Sequence, residues 1–280
     1  MTHGKHHAIL AAALPVAAGA DDGRGGLPES GGVRHWRGRR GTKRLQTGPV
    51  TDSDEPEGRR RARIRLELAV GYFEEGQPTI ALDEVKQALA ADPSFAEAYN
   101  LRGLVYMRLS DARLAEDSFR RSIALKAGDS NVYHNYGWLL CQQGRYAESL
   151  QLFSQALGNP LYGDRPKTLM TQGLCQIKAG QPVQAEVSLT RSYELDAANP
   201  ITGYNLSSLL FLRGELVRAQ FYIRRLNNSE SANAESLWLG IKVERRLENR
   251  DAVEQLAGQL RKRFAQSPEL GRYERGAFDE

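Results

Sequence analysis

Cysteine is scarce. The 280 residues hold two, Cys141 and Cys175, too few for a disulfide-dense scaffold or a multi-cysteine zinc protein. Histidine is as thin, with five, of which His3, His6 and His7 cluster near the start without Cys or carboxylate partners. No apolar run reaches the ~18 residues that a membrane-spanning helix requires. The chain also lacks a large excess of one charge. Its formal net charge is +4, yet residues 1–61 carry 11 basic and 7 acidic side chains, and residues 62–280 carry 27 of each. A neutral body behind a basic tail has no basic face for phosphate, so nucleic acid is not expected as a partner. What is present is ordinary for a folded chain: 41% hydrophobic and 26% charged residues.

The first sixty residues divide in two. Residues 1–20 place a short polar start with Lys5 before an apolar stretch from Ala8 to Ala20, and Ala18-Gly19-Ala20 fits a small-x-small cleavage pattern. That layout predicts a secretory signal segment. From Asp21 to Val50, 14 of 30 residues are Gly or Arg, with almost no periodic apolar pattern. Such a stretch buries too little surface to offset its ordering entropy, so residues 21–61 are expected to be a disordered linker, with Arg59-Arg60-Arg61 just ahead of the first helix.

From Ala62 onward the chain repeats itself. Ala69, Gly103, Gly137 and Gly173 take one small-residue position; Gly76, Gly144, Gly180 and Gly214 mark a turn; Ala81, Ala115, Ala185 and Ala219 take the next small position. The step is 34 residues, with two inserted between the third and fourth repeats. Small residues such as Gly103 and Ala115 let two helices approach, Tyr72, Tyr106, Val85 and Phe119 fill the space between them, and Pro93 separates one repeat from the next. These residues resemble the tetratricopeptide repeat. No segment alternates with period two, so strands are not expected. The expected fold is all-α: a tetratricopeptide-repeat superhelical solenoid of about six helix-turn-helix repeats, near 62–95, 96–129, 130–163, 166–199, 200–232 and 233–267, with a tail at 268–280. Each repeat in such a stack is stabilised by its neighbours.

Within the repeats the only histidine is His134, and no base–orienter–nucleophile set surrounds it. There is no phosphate-binding glycine loop and no metal-ligand spacing. The chain therefore reads as a non-enzymatic binding module with no catalytic, metal or cofactor residues. In stacks of the resembled class the first helix of each repeat lines the concave face. On this frame the lining is Val70, Phe73, Asn100, Leu104, Met107, His134, Trp138, Met170, Leu174, Ile177, Tyr204 and Phe211. Some of these are expected to pack between helices instead, because a fully apolar helix stripe is usually core. An apolar groove suits an amphipathic helix or hydrophobic peptide of a protein partner.

Cys141 and Cys175 fall at nearly equivalent heights on the first helices of the third and fourth repeats. Adjacent helix axes lie ~8–10 Å apart, which brings the thiols within bonding reach. In an oxidising compartment they would bridge; in a reducing one they would remain two buried thiols acting as small hydrophobes. The export-like start favours the bridge.

Several stretches resemble the type IV pilus biogenesis proteins of the PilF/PilW type: RRRARIRLELAVGYFEEGQ, NVYHNYGWLLCQQGRYAESLQLFSQAL, NPLYGDRP, GLCQIKAGQ and, at the close, SPEL with RYERGAFDE. The resemblance runs from about Thr51 to Glu280. It implies a pilotin, a periplasm-facing lipoprotein of the outer membrane that binds the pilus secretin and promotes its localisation and multimer assembly. The rival reading is a general tetratricopeptide scaffold in the periplasm or cytosol, for example one that organises cell-wall enzymes. Members of the resembled family carry an acylated cysteine after an apolar run, whereas residues 1–50 here hold no cysteine. Either this member is not lipidated, or a lipidated start is encoded upstream or in another frame; the second is the expectation, because the family-like pattern begins abruptly near Thr51.

Overall fold

The computed structural model describes residues 55–278. The signal-like segment, residues 21–54 of the expected linker and the last two residues of the tail lie outside the described residues. Among the described residues there are thirteen helices and no strand. They form two compact units that meet in sequence between Phe95 and Ala96.

The first unit is one helix pair, α1 (Glu57–Glu74) and α2 (Pro78–Ala91). Ala69 and Ala81 are fully buried between them with Val85 and Ala88, as the small-residue frame requires. Helix α1 begins earlier than the residue pattern suggested. Its first turns take in Arg59, Arg60 and Arg61, so the linker ends before residue 57, not at 61. Contacts with the far end of α2 explain the extension. Arg59 pairs with Asp92, reaches Ser94 Oγ at 3.3 Å, and lies 4.6 Å from the Phe95 ring centre. Gly58 allows the approach, since a Cβ there would stand 2.8 Å from the Ala91 carbonyl oxygen.

The second unit continues the pairing: α3 (Ala96–Arg108) with α4 (Ala112–Leu125), α5 (Ser130–Gln142) with α6 (Tyr146–Leu157), and α7 (Arg165–Lys178) with α8 (Pro182–Leu195). Then come α9 (Pro200–Leu212) with α10 (Leu216–Asn227), α11 (Ala234–Arg246) with α12 (Arg250–Arg263), and the short α13 (Pro268–Glu274). The stack is a solenoid of helix-turn-helix repeats. The small positions work as expected. A Cβ on Gly137 would meet the Phe153 ring at 2.9 Å, and one on Gly173 would meet Leu189 Cγ at 2.7 Å. Steric closeness is therefore what selects glycine there.

The turn between paired helices needs a left-handed residue. Gly144, Gly180 and Gly214 supply it at φ of 77°, 71° and 79°. Ser110 and Glu248 hold the corresponding positions at 61° and 59° without being glycine, a conformation that costs an L-residue roughly 1–2 kcal/mol.

Near the end of the stack, Glu244 is buried but fully used. It accepts from Arg224 Nε at 2.6 Å and Nη2 at 3.0 Å, from Gln220 at 2.8 Å and from Asn249 at 3.0 Å. One carboxylate thus ties α10, α11 and the start of α12. The region expected as a tail is a cap. Leu270 of α13 is buried, and Phe278 stacks on Trp238 at 5.3 Å while the Arg245 guanidinium lies 3.9 Å from its ring centre. These contacts cover an apolar face of α11 and α12.

Each first helix in this unit also approaches the first helix of the next repeat, α3 to α5, α5 to α7, α7 to α9 and α9 to α11, whereas the second helices stay farther apart. The side with the shorter helix spacing is the inside of the curve. In the second unit the first helices therefore form the inner face.

Candidate protein-binding face

Behind the middle of the inner face lies a core built on Phe153 of α6. This ring is fully buried with Cys141 and Cys175, and Trp138, Tyr146 and Leu150 pack around the group. Cys141 on α5 and Cys175 on α7 have Cα atoms 5.9 Å apart with their sulfurs at bonding distance. That Cα spacing is the common one for a disulfide. Ser149 donates to the Gly137 carbonyl at 2.7 Å and its Oγ lies 3.4 Å from Cys175 Sγ.

His134 packs on the other side of Phe153, with ring centres 6.0 Å apart. Its Nδ1 is hydrogen-bonded to Thr168 Oγ1 at 2.9 Å, and Thr168 donates to Tyr162 Oη at 3.3 Å. Burial, and secondarily the Lys167 ammonium, push the imidazole down to about 3, while burial pushes the Tyr162 phenol up to about 12. The chain His134–Thr168–Tyr162 anchors the loop between α6 and α7, which holds the two inserted residues. At its tip Leu161 is 90% exposed.

A neutral buried histidine leaves a signature in acid. The unfolded chain takes up a proton below the ordinary imidazole value near 6.5, and the folded one resists until about 3. Stability therefore falls as pH drops through that window, by on the order of 2–3 kcal/mol between pH 7 and 4.5. Urea midpoints across this range should fall less steeply in His134→Gln than in the parent. Parallel curves would exclude His134 as the source.

The twelve expected lining residues do not all reach the surface. Phe73 in the first unit, and His134, Met170 and Leu174 in the second, are buried. They are corrected to core, because each is enclosed by its neighbouring helices. Val70 is half-buried on α1. In the second unit Leu104 and Met107 pack against the core of α3 to α5, and Asn100 accepts a hydrogen bond from Asn135 Nδ2 at 3.1 Å. Trp138, Ile177, Tyr204 and Phe211 are half-buried, and Lys178 Nζ lies 5.4 Å from the Trp138 ring centre. The lining that remains is a set of half-buried rings and aliphatic chains, not a continuous apolar trough.

Other exposed apolar side chains lie off the predicted stripe. In the first unit Ile64 and Leu68 border a shallow depression with Gly71 and Tyr72. In the second unit Val183 and Val187 on α8 and Val217 and Phe221 on α10 repeat at the 34-residue step and are exposed. Those on α8 and α10 lie on second helices, outside the first-helix stripe. Among the described residues no group of three or more His, Cys, Asp or Glu is placed to hold a metal, and no helix is long and apolar enough to cross a membrane.

Paired helices, glycine turns and a first-helix inner face define a tetratricopeptide-repeat protein, and the model of that repeat matches residues 66–130. The type IV pilus assembly protein PilF of Pseudomonas aeruginosa is 29% identical over 234 residues, which span 81% of this chain and 93% of PilF. The crystal structure of PilW, a widely conserved type IV pilus biogenesis factor, is 30% identical with a TM-score of 0.68, over 76% of this chain and 97% of PilW. The P. aeruginosa PilF structure aligns with a TM-score of 0.71 at 28% identity, over 79% of this chain and 100% of the chain in that structure. The chain belongs to the PilF/PilW family of type IV pilus biogenesis proteins. The tetratricopeptide protein YrrB, at 15% identity and a TM-score of 0.55, shares the fold alone.

Proposed function

We propose that this chain is a non-enzymatic pilotin: a periplasm-facing adaptor, associated with the outer membrane, that binds the type IV pilus secretin and promotes its localisation and multimer assembly. The observation that carries the reading is similarity spread over 97% of PilW, combined with a row of first helices that offers rings and aliphatic chains to a protein partner. A helical or extended partner segment fits such a row through apolar anchors at intervals set by the repeat. The exposed Leu161 at the loop tip adds an anchor beside it.

We further infer that Cys141 and Cys175 are bridged in the mature protein. An export-like start and an oxidising compartment go together with a Cα spacing of 5.9 Å. In a deletion strain, heat-stable secretin multimers in outer-membrane fractions are expected to fall several-fold and surface pili to be lost, both restored by the wild-type gene. Unchanged multimers with normal pili would reject the pilotin reading in favour of a general scaffold.

A further inference from the structure

Four of the eleven arginines from Arg213 onward pair with a carboxylate. Arg213 and Arg218 share Glu186 and Glu215, Arg224 holds Glu244, and Arg272 holds Glu269. Lys242 and Arg246 on α11 are among the cations that do not. Neither takes part in an ion pair among the described residues, and both face the same ring: Lys242 Nζ lies 5.7 Å and the Arg246 guanidinium carbon 5.5 Å from the centre of Phe211 on α9. Lys242 is also 5.7 Å from the Trp238 ring.

Residues at this i,i+4 spacing are neighbours on a helix, and like charges there destabilise it by several tenths of a kcal/mol. A cation in the last turn of a helix complements its dipole, which accounts for Arg246. It does not account for Lys242, one turn earlier and half-buried. Burial and Arg272 both push the Lys242 ammonium below its ordinary range. Phe211 beside the pair is half-buried, and the next residue on α9, Leu212, is 75% exposed. Two cations without an ion-pair partner and a ring platform thus meet at the α9–α11 end of the inner face.

We propose that this α9–α11 surface binds an acidic segment of a protein partner, with Lys242 and Arg246 taking its carboxylates and Phe211 and Leu212 taking an adjacent apolar side chain. The choice of occupant follows from charge complementarity: a carboxylate supplies the neutralisation the two cations lack, and the rings beside them favour a peptide side chain over a free inorganic anion. The proposal rests on the reading of the first-helix face as protein-binding, and it adds the chemistry of the bound segment.

The test uses the full chain and two fluorescein-labelled hexapeptides, Glu-Phe-Glu-Glu-Phe-Glu and its Gln-for-Glu counterpart, followed by anisotropy. The acidic peptide should bind at least tenfold tighter than the Gln peptide, and more weakly at 500 mM than at 50 mM salt. Lys242→Ala/Arg246→Ala should lose at least tenfold, whereas Arg113→Ala, which removes an exposed cation from the second helix α4, should retain binding. Circular dichroism checks that the double variant keeps its helices. Equal binding of both peptides, or an unaffected double variant, overturns the proposal. So does binding of phosphatidylglycerol vesicles that requires the pair while the acidic peptide does not bind, since it assigns the site to a membrane surface. Should the double variant fully restore secretin multimers in the deletion strain, this site fails while the pilotin reading stands. If deletion itself leaves multimers unchanged, the pilotin reading fails, and the peptide result still decides the site.

Discussion

Phe153→Ala is expected to lose about 3–5 kcal/mol of stability, the range for emptying a fully enclosed aromatic site. The ring touches three helices at once: it lies against Gly137 on α5, belongs to α6, and packs on Cys175 of α7. Little can collapse into the space it leaves. Gly137 has no side chain, and His134 is held by Thr168. A loss of this size is a large fraction of the 5–15 kcal/mol that stabilises an ordinary domain. In a repeat stack it should also be local, because each repeat is coupled chiefly to its neighbours. Urea unfolding followed by circular dichroism should therefore show a lowered midpoint and a broadened transition, with the α5–α7 amides exchanging first. A loss below about 1 kcal/mol would mean that the core around Phe153 is looser than its burial implies.

Reduction should have an effect of similar size at the same place. A bridge between Cys141 and Cys175 would span a sequence separation of 34 residues, and closing a loop of that length restricts the unfolded chain by roughly 3–4 kcal/mol in the chain-entropy model. The urea midpoint of the air-oxidised protein should thus drop on adding a reductant. Cys141→Ala/Cys175→Ala should lie near the reduced protein and ignore the reductant, and alanine is the right replacement because a serine would bury a hydroxyl. Combining this variant with Phe153→Ala should give less than the sum of the two losses, since the three side chains share one cluster. Identical midpoints with and without reductant would show that the thiols are free.

The fold was legible because its cause is periodic. Gly103, Gly137 and Gly173 recur where helices touch, and Gly144, Gly180 and Gly214 recur where the backbone turns left-handed. Six repeats in phase leave little room for another architecture. The boundaries were less legible. Helix α1 starts at Glu57 because Arg59 finds Asp92, a partner 33 residues away, and no local pattern announces such a contact. Ser110 and Glu248 occupy glycine positions without the glycine signal.

The binding face was legible only in outline. Met170 and Trp138 have the same apolar character in sequence, yet one is enclosed and the other half-open. The difference lies in how neighbouring helices cover them. The Lys242–Arg246 pair lies outside the apolar periodicity that marks the first helices. Its signal was present: two cations at i,i+4 on a first helix, with the nearby Glu244 on the same helix committed to Arg224. The inner face combines half-buried rings and aliphatic chains with Lys178 in a middle repeat and the Lys242–Arg246 pair at its α9–α11 end.

The most direct test of the central claim is co-purification of the tagged protein from outer membranes with crosslink mapping. The account predicts that the secretin is recovered and that its crosslinks cluster on the first helices of the second unit, α3 to α11, and on the loop carrying Leu161. Recovery without the secretin, or secretin crosslinks confined to the second helices, would contradict it.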